Sequence, residues 1–180
     1  CYARAGGEPE PVVRGIAEQY KPRTATEPVP ASLQGALLAL ADRLDTLIGY
    51  FGVALSPTGS ADPYGLRRQA LGVVRILLSP PPGVSFVGLS IDTLCDEGIQ
   101  SWGSRLNVDP KRLKAQLRAF FRERFEWLAG KGGEGEREMT AAVLAAGDDD
   151  LAGAAERLKV LRGFWTDGKD GRRKVLEQAA

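Results

Sequence analysis

The longest periodic segment of the sequence, residues 31–55, constrains the fold more than any other feature. Apolar side chains recur in it every three or four residues, as they do on one face of an amphipathic α-helix. The apolar positions are Leu33, Leu37, Leu40, Leu44, Leu47, Ile48, Phe51 and Leu55. Because such a stripe must be buried against other elements, we predict a long helix over residues 31–55 that packs into a core.

The opposite face of this predicted helix carries glycines and aspartates. Gly35, Gly49 and Gly52 lie there, with Asp42 and Asp45 among them. A glycine inside a helix is less favourable than alanine by about 1 kcal/mol. We therefore expect another backbone to approach this face closely.

Capping residues mark the starts of the other helices. Asp62-Pro63 and Asp109-Pro110 each place an N-cap residue before a proline that suits the first helical position, and Ser90 is a third N-cap. The predicted helices span residues 9–20, 31–55, 62–78, 90–106, 109–128, 136–146, 149–165 and 169–179. Since no segment alternates like a strand, we predict an all-α fold, an irregular helical bundle.

Proline and glycine runs divide the chain. Three prolines make residues 21–31 a linker, and the glycine-rich residues 131–135 are expected to form a flexible joint. We assign residues 1–130 to one helical domain. Residues 131–180 would be further helices that pack on it or link it to the next domain. Since the sequence begins without Met, we expect it to be a piece of a longer protein.

The 180 residues include no histidine, which excludes several kinds of chemistry from this chain. Imidazole-based acid–base catalysis, Ser-His-Asp triads and imidazole metal ligands are all absent. The two cysteines, Cys1 and Cys95, make no disulfide framework, and we expect free thiols. A net charge of +1 argues against a strongly basic nucleic-acid-binding domain, but it leaves room for a local basic face.

The apolar runs are far shorter than the roughly 20 residues that a membrane-spanning helix needs. No charged segment followed by an apolar one opens the chain, so no secretory signal is recognised. We expect a cytoplasmic protein with no membrane partner.

Several motifs in residues 1–78 resemble the β subunit of bacterial heterotetrameric glycyl-tRNA synthetase. They read YAR at 2–4, GE at 7–8, AEQYKPR at 17–23, ADRLDTLIGYFG at 41–52, PTG at 57–59 and DPYGLRRQALGVVRIL at 62–77. Their order makes the resemblance specific. Tyr64-Gly65 stands where the family usually has Phe-Ala, and residues 85–180 resemble the family only weakly.

The resemblance implies a part of the enzyme that joins glycine to tRNA(Gly) with ATP and Mg²⁺. The α subunit of that enzyme carries the adenylation and transfer site, and its β subunit carries tRNA-binding domains, one of them related to the HD phosphohydrolases. The resemblance therefore implies an HD-domain-like bundle here. Its partners would be tRNA(Gly), the α subunit and the remaining β-subunit domains.

The HD domains are named for histidine and aspartate metal ligands, and this chain has no histidine to offer. We therefore expect a non-catalytic tRNA-binding or scaffolding fragment with no catalytic residue, metal site or cofactor of its own. Two alternatives stay open. One is a relic of an HD-type metal-dependent phosphohydrolase, and the other is a helical protein–protein interaction module.

Arginines of the helix predicted over 62–78 are candidate tRNA ligands. Arg68 and Arg75 are seven residues apart on one stripe, with Gly72 between them, which predicts an open groove lined by guanidinium groups. Arginine forks suit phosphate oxygens. The alternative is that these arginines pair with aspartates of a neighbouring helix.

The helix predicted over 109–128 is the strongest local basic face. From Asp109 to Lys131 the sequence has seven basic and three acidic residues. We predict that Lys111, Arg118 and Arg122 form a stripe that contacts tRNA, or else an ordinary solvated face. The opposite, apolar stripe would be Leu113, Leu117, Phe120 and Leu128.

Lys21 and Arg23 flank a proline and are further candidates for phosphate contact, with plain surface charge as the alternative. We expect the three tryptophans, Trp102, Trp127 and Trp165, to pack in the core rather than to stack on bases.

Four residues are predicted to form structural ion pairs. Asp42 and Asp45 project from one side of a helix and would pair with arginines of a neighbouring helix; the alternative is a vestige of an HD metal ligand. Arg67 adjoins an apolar edge, and Arg124 falls inside an apolar stripe. A buried arginine is very unfavourable unless it is paired.

The missing histidines lead to a direct prediction about chemistry. We expect the purified chain to hold no stoichiometric metal and to hydrolyse no phosphoester. Elemental analysis and a phosphatase assay check this. Stoichiometric Zn, Mn or Fe, together with phosphatase activity that is lost in Asp45→Asn, would contradict the prediction.

Overall fold

A computed structural model describes residues 2–57, 62–131 and 135–167. Within these ranges the chain forms eight α-helices and no strand, which confirms the predicted all-α class. The helices are α1 (Tyr2–Ala5), α2 (Glu10–Glu18), α3 (Leu33–Gly52), α4 (Leu66–Leu78), α5 (Ile91–Trp102), α6 (Pro110–Ala129), α7 (Glu136–Ala145) and α8 (Leu151–Asp167), with one 3-10 turn at Gly103–Arg105. Three predicted features, the helix over 169–179, residues 132–134 of the joint and most of the PTG motif, lie outside the described residues.

Helix α3 lies at the centre of the bundle, as its long apolar stripe predicts. It packs against α2, α4, α5 and α6, and its Leu47 and Ile48 are fully buried. Helix α6 also packs against α4, α5 and α7, while α8 packs against α4 and α7. One hydrophobic cluster runs from Ala36 in α3 to Leu158 in α8. Helices α7 and α8 thus share the core of the preceding helices, and the division at residue 130 stays a prediction.

Side-chain caps fix the starts of three helices. Ser32, Ser90 and Asp109 each accept a hydrogen bond from the backbone N–H three residues further on, at 3.0–3.1 Å. Each cap satisfies one of the N–H groups that a helix leaves without an internal partner. The starts predicted at Ser90 and Asp109-Pro110 are confirmed.

The start predicted for α4 at Asp62-Pro63 is wrong. The helix begins at Leu66, because Gly65 adopts a left-handed conformation with φ 66° and ψ 26° that favours glycine. The Asp62 carboxylate still caps it from one turn away. It accepts hydrogen bonds from the N–H groups of Leu66 at 2.8 Å and Arg67 at 3.0 Å.

The glycine face of α3 is approached by side chains, and not by the backbone that the sequence led us to expect. A Cβ on Gly49 would lie 2.7 Å from the ring of Trp102, and one on Gly52 would overlap the side chain of Leu106. Backbone contact occurs at the end of α3, where the N–H of Asn107 donates to the carbonyl of Gly52 at 2.8 Å. The glycines therefore make room for the α5 end and the segment after it.

The buried face of α6 differs from the predicted apolar stripe. The four side chains that are fully buried are Leu113, Leu117, Phe121 and Phe125. Phe120 and Leu128, which the prediction placed in the core, are only partly buried. Helix α6 is therefore rotated about its axis relative to the predicted orientation, so that these four residues, spaced four apart, face the core. The same rotation changes the positions of its basic side chains relative to the core.

Arg43 of α3 is buried, with 3% of its surface exposed, and it anchors the segment that follows α2. Its two terminal nitrogens donate four hydrogen bonds of 3.0–3.2 Å to main-chain carbonyls. The acceptors are the carbonyl oxygens of Gln19, Tyr20, Pro22 and Ala39. Burial lowers the pKa of the Arg43 guanidinium, which nevertheless keeps its proton at neutral pH because the ordinary value is so high.

Gly72→Ala is expected to destabilise the fold, because the new Cβ would overlap Arg43 Nε and lie 3.1 Å from its Cδ. Four hydrogen bonds hold Arg43 in place, so overpacking should lower the free energy of unfolding by about 1–3 kcal/mol. Urea denaturation measures this. Gly163→Ala in α8 is the control, since no described atom lies within 4 Å of its added Cβ. It should stabilise by up to about 1 kcal/mol. Equal effects would contradict the role of Arg43.

Candidate nucleic-acid interface

Arg75 does not face the solvent as a phosphate ligand would. Its Nη1 donates to the carbonyl of Thr24 at 2.8 Å and its Nη2 to the carbonyl of Glu27 at 2.7 Å. The guanidinium is therefore used to hold the segment before α3 against α4. It serves the linker in the same way as Arg43 does from α3.

The open groove predicted between Arg68 and Arg75 does not exist. Gly72 is buried, and the side chain of Arg43 fills the space above it. The glycine makes room for a buried guanidinium of the next helix, and not for a ligand. Sequence reasoning missed Arg43, although its position between Leu40 and Leu47 is the same signal that singled out Arg124.

Arg118 and Arg122 of α6 are bound to one carboxylate. Arg118 Nε lies 3.0 Å from Asp148 Oδ1, and Arg122 Nη1 lies 3.1 Å from Asp148 Oδ2. Arg118 also bonds Asp92 at 2.8 Å and Arg122 bonds Glu126 at 3.1 Å. Because their partners are Asp92 of α5 and Asp148 of the loop before α8, these ion pairs link α6 to both elements.

This network changes the acidity of its central carboxyl group. Burial raises the pKa of Asp148, but the hydrogen bonds from Arg118 and Arg122 outweigh burial and hold the pKa below its ordinary value of 3.8. The hydrogen bond to Asp148 raises the pKa of Arg118 in turn. The charges of these two arginines are thus largely compensated within the fold.

Lys21 and Arg23 lie in the linker beside acidic neighbours. Lys21 Nζ is 3.9 Å from Glu18, and Arg23 Nη2 is 2.9 Å from Glu27. The hydrogen bonds from Arg23 lower the pKa of Glu27 to about 2. Both cations are accessible, but each already has a carboxylate close by.

Asp42 and Asp45 do not form the predicted ion pairs with any described residue. Asp45 accepts a hydrogen bond of 2.8 Å from the indole Nε1–H of Trp102 instead. Asp42 is exposed on α3. The expectation fails because the neighbouring arginines bind backbone carbonyls, and the side chain that reaches Asp45 is an indole.

Arg124 lies where an apolar stripe was predicted, and it is only partly accessible. Eleven per cent of its side chain is exposed, its guanidinium stands 3.7 Å from the centre of the Phe120 ring, and it donates to the Phe120 carbonyl at 3.1 Å. It pairs with the exposed carboxylate of Glu123. The cation–π contact with the Phe120 ring offsets part of the hydration free energy that the guanidinium loses on burial.

A groove of about 520 Å³ separates α4 from α6, and we call it the α4–α6 groove. Its apolar lining includes Ala25 and Leu71. Arg67 and Arg68 line it from α4, and Arg124 lines it from α6. Three cations singled out from the sequence, Arg67, Arg68 and Arg124, thus meet in one place.

Arg68 and Lys111 are the predicted ligands that are both exposed and without a carboxylate partner among the described residues. Both side chains are exposed, and neither forms an ion pair with a carboxylate in the described part of the chain. Lys111 is in the first turn of α6, whereas Arg68 faces the last third of that helix across the α4–α6 groove. The two cations therefore lie near opposite ends of α6, roughly 20 Å apart along its axis.

Trp127 was expected in the core, but half of it is exposed. The Nζ of Lys131 stands 3.2 Å from the centre of its ring. The ring lines the α4–α6 groove and also a second groove of about 590 Å³ between α6 and α7, the α6–α7 groove. The expectation holds better for Trp102 and Trp165, which pack against the core while partly buried.

The described residues do not offer the donors of an HD metal centre. Among them, no three side chains of His, Cys, Asp or Glu are grouped so that they could hold a metal ion. Burial raises the pKa of the Cys95 thiol to about 12, so it stays protonated and unreactive at neutral pH. None of the described helices is both long and apolar enough to span a membrane.

Comparison with known proteins gives one consistent family. The family described as "Glycyl-tRNA synthetase beta subunit" matches residues 1–145. A glycine–tRNA ligase beta subunit of Nitratidesulfovibrio vulgaris is 42% identical over 163 residues, which are 91% of this chain and 23% of that protein. The beta subunit of Desulforudis audaxviator matches to the same extent, and that of Myxococcus xanthus is 38% identical over 165 residues, 89% of this chain and 22% of its own length. The chain thus spans under a quarter of the relatives it matches.

The depressed pKa of Asp148 predicts a pH dependence. A carboxyl group whose pKa is lower in the folded state contributes stability that is complete above its ordinary pKa and is lost as the pH falls through the folded value. The difference in unfolding free energy between the wild type and Asp148→Asn should therefore be constant near pH 6–7 and shrink as the pH falls below about 4. Urea denaturation at pH 7, 5 and 3 measures it.

Asp42→Asn is the matched control, because Asp42 is exposed and makes no ion pair with a described residue. Its effect on stability should be small at pH 7. A gap between wild type and Asp148→Asn that is the same at pH 7 and pH 3 would contradict the assigned network.

Proposed function

Because the chain belongs to the glycyl-tRNA synthetase beta subunit family, we propose that it is a non-catalytic, tRNA-binding part of a glycine–tRNA ligase. The family match over residues 1–145 is the observation that carries this proposal. The whole enzyme would attach glycine to tRNA(Gly) with ATP and Mg²⁺ in the cytoplasm, and the α subunit would carry the chemistry.

The absence of histidine from the sequence supports a non-catalytic role for this chain. The described residues also lack a cluster of metal ligands that could replace the HD centre. We therefore prefer an HD-like scaffold to the phosphohydrolase alternative. Its contribution to the enzyme would be binding energy and the positions of the neighbouring domains.

Arg68 and Lys111 are the residues that we propose for contact with tRNA. Both are exposed, and their charges are not compensated by a described carboxylate, in contrast to Arg118 and Arg122. Cations of this kind bind phosphate oxygens without reading the base sequence. Arg75 is bonded to the linker, so its proposed role is to hold the fold.

Exposed apolar side chains of α2 and α3 support a second candidate role, contact with other protein. Val12 and Ile16 of α2 are each 42% exposed, and Leu37 of α3 is 51% exposed. Apolar clusters on a surface often mark protein contacts. These side chains would face the α subunit or the remaining β-subunit domains.

We expect Arg68→Ala and Lys111→Ala, made in the intact heterotetramer, each to raise the KM for tRNA several-fold. Glycine-dependent ATP–pyrophosphate exchange should not change, because the adenylation site would lie in the α subunit. Each lost phosphate contact should also lower the log–log dependence of affinity on salt by about 0.7–0.9. Steady-state aminoacylation at several salt concentrations measures both effects.

Lys159→Ala is the control, since Lys159 is an exposed lysine of α8 whose carboxylate neighbour is Glu156 of the same helix. It should leave the KM for tRNA unchanged. If Arg68→Ala and Lys111→Ala behave like Lys159→Ala at moderate salt, these helices do not face RNA and the domain is a scaffold only.

A further inference from the structure

Trp127 is a large aromatic side chain in a place that packing does not explain. It belongs to α6, whose buried row is formed by other residues, and half of its surface is exposed. Tryptophans Trp102 and Trp165 are partly buried against the core, so Trp127 differs from both. An exposed indole offers a flat apolar face and a single N–H donor, which suits recognition better than folding.

The indole stands between two grooves that are each large enough for a nucleotide. The α4–α6 groove has about 520 Å³ and the α6–α7 groove about 590 Å³, within the usual range for small-molecule sites. Among the described residues, the Nζ of Lys131 stands over the ring, and Lys131 lines the α6–α7 groove but not the α4–α6 groove. Trp127 also lines the α4–α6 groove, together with the apolar side chains of Ala25 and Leu71, and we take this groove as the route by which a ligand reaches the ring.

Positive charge surrounds this indole. The two grooves are lined by five cations and three carboxylates. Arg68 stands across the α4–α6 groove, and Arg137 lines the α6–α7 groove beside Lys131; both arginines are exposed. Of the carboxylates, Asp62 already accepts two backbone N–H groups. An accessible aromatic face flanked by cations fits a base with a phosphate on either side.

We propose that Trp127 is a stacking platform for one unpaired base of the bound RNA. The base enters the α4–α6 groove and stacks on the indole, while Arg68 and the Lys131–Arg137 pair contact the phosphates on its two sides. This inference rests on the proposed function, and it adds a contact with a base to a domain expected to touch only the RNA backbone. Since every base has a π-face, the contact tolerates different sequences.

The surroundings of the indole favour RNA over a protein partner. The centre of a protein interface is depleted in lysine, glutamate and aspartate. Here an ammonium group lies on the ring itself, and Glu123 and Glu126 lie within one turn of it. A partner that brings phosphates matches this charge pattern, whereas an apolar protein surface would have to desolvate it.

The test uses the intact heterotetramer and tRNA(Gly), with the Kd measured by filter binding at several salt concentrations. Trp127→Ala should weaken binding by about 5- to 150-fold, the range for the loss of one stacked base, with an unchanged salt slope. Trp127→Phe should retain most of the affinity because it can still stack. Trp127→Leu, which is apolar but not aromatic, should behave like Trp127→Ala.

Two controls distinguish base stacking from a structural role of the indole. Phe164→Ala removes an exposed aromatic of α8 that lies outside both grooves, and it should leave the Kd unchanged. The Tm of each heterotetramer shows whether assembly is intact. A lower Tm for Trp127→Ala at an unchanged Kd would assign the indole to a protein contact and overturn the proposal.

The stacking site and the proposed function can fail separately. If Arg68→Ala and Lys111→Ala weaken tRNA binding and flatten the salt slope but Trp127→Ala has no effect, the stacking site is wrong and the proposed function stands. If none of the three changes the Kd, both are wrong. Equal affinities for Trp127→Leu and Trp127→Phe would also overturn stacking.

Discussion

The burial of one guanidinium, that of Arg43, is the constraint on which much of this structure depends. A buried charge is very unfavourable unless most of its hydrogen-bond donors find partners. The two terminal nitrogens of Arg43 find them in main-chain carbonyls of its own helix and of the segment after α2, while its Nε has no partner among the described residues. This fixes the path of an irregular linker, requires glycine at position 72 of the facing helix and brings α3 and α4 close together. Arg75 continues the same pattern further along the linker.

The same use of arginine decides which cations are left for a ligand. Arg118 and Arg122 serve Asp148 and thereby join α6 to its neighbours. Fixed geometry of this kind favours cohesion of the bundle, whereas an exposed cation with no carboxylate close by can still exchange its counterions for phosphate. Among the candidate ligands, Arg75, Arg118 and Arg122 thus hold parts of the fold together, whereas Arg68 and Lys111 face outward, at the α4–α6 groove and at the start of α6.

Much of the fold could be predicted from the sequence, because caps and apolar periodicity act locally. Ser90 and the Asp109-Pro110 pair mark helix starts through contacts within one turn. The candidate site was harder, since it depends on how each helix is turned about its axis. The spacing led us to place Phe120 in the buried face of α6, but the packing places Phe121 there. That rotation leaves Trp127 on the surface.

The linker after α2 has no regular secondary structure, yet its main chain is held by arginines from two core helices. A protease that cuts beside Arg23 must bind the linker as an extended strand. This requires the hydrogen bonds from Arg43 and Arg75 to the linker carbonyls to break. Breaking them leaves the buried guanidinium of Arg43 with the Ala39 carbonyl as its remaining acceptor, so we expect the segment to open only when the packing of α3 on α4 loosens as well. We therefore expect this irregular stretch to be cleaved more slowly than a surface loop whose main chain is not held by side chains of the core helices.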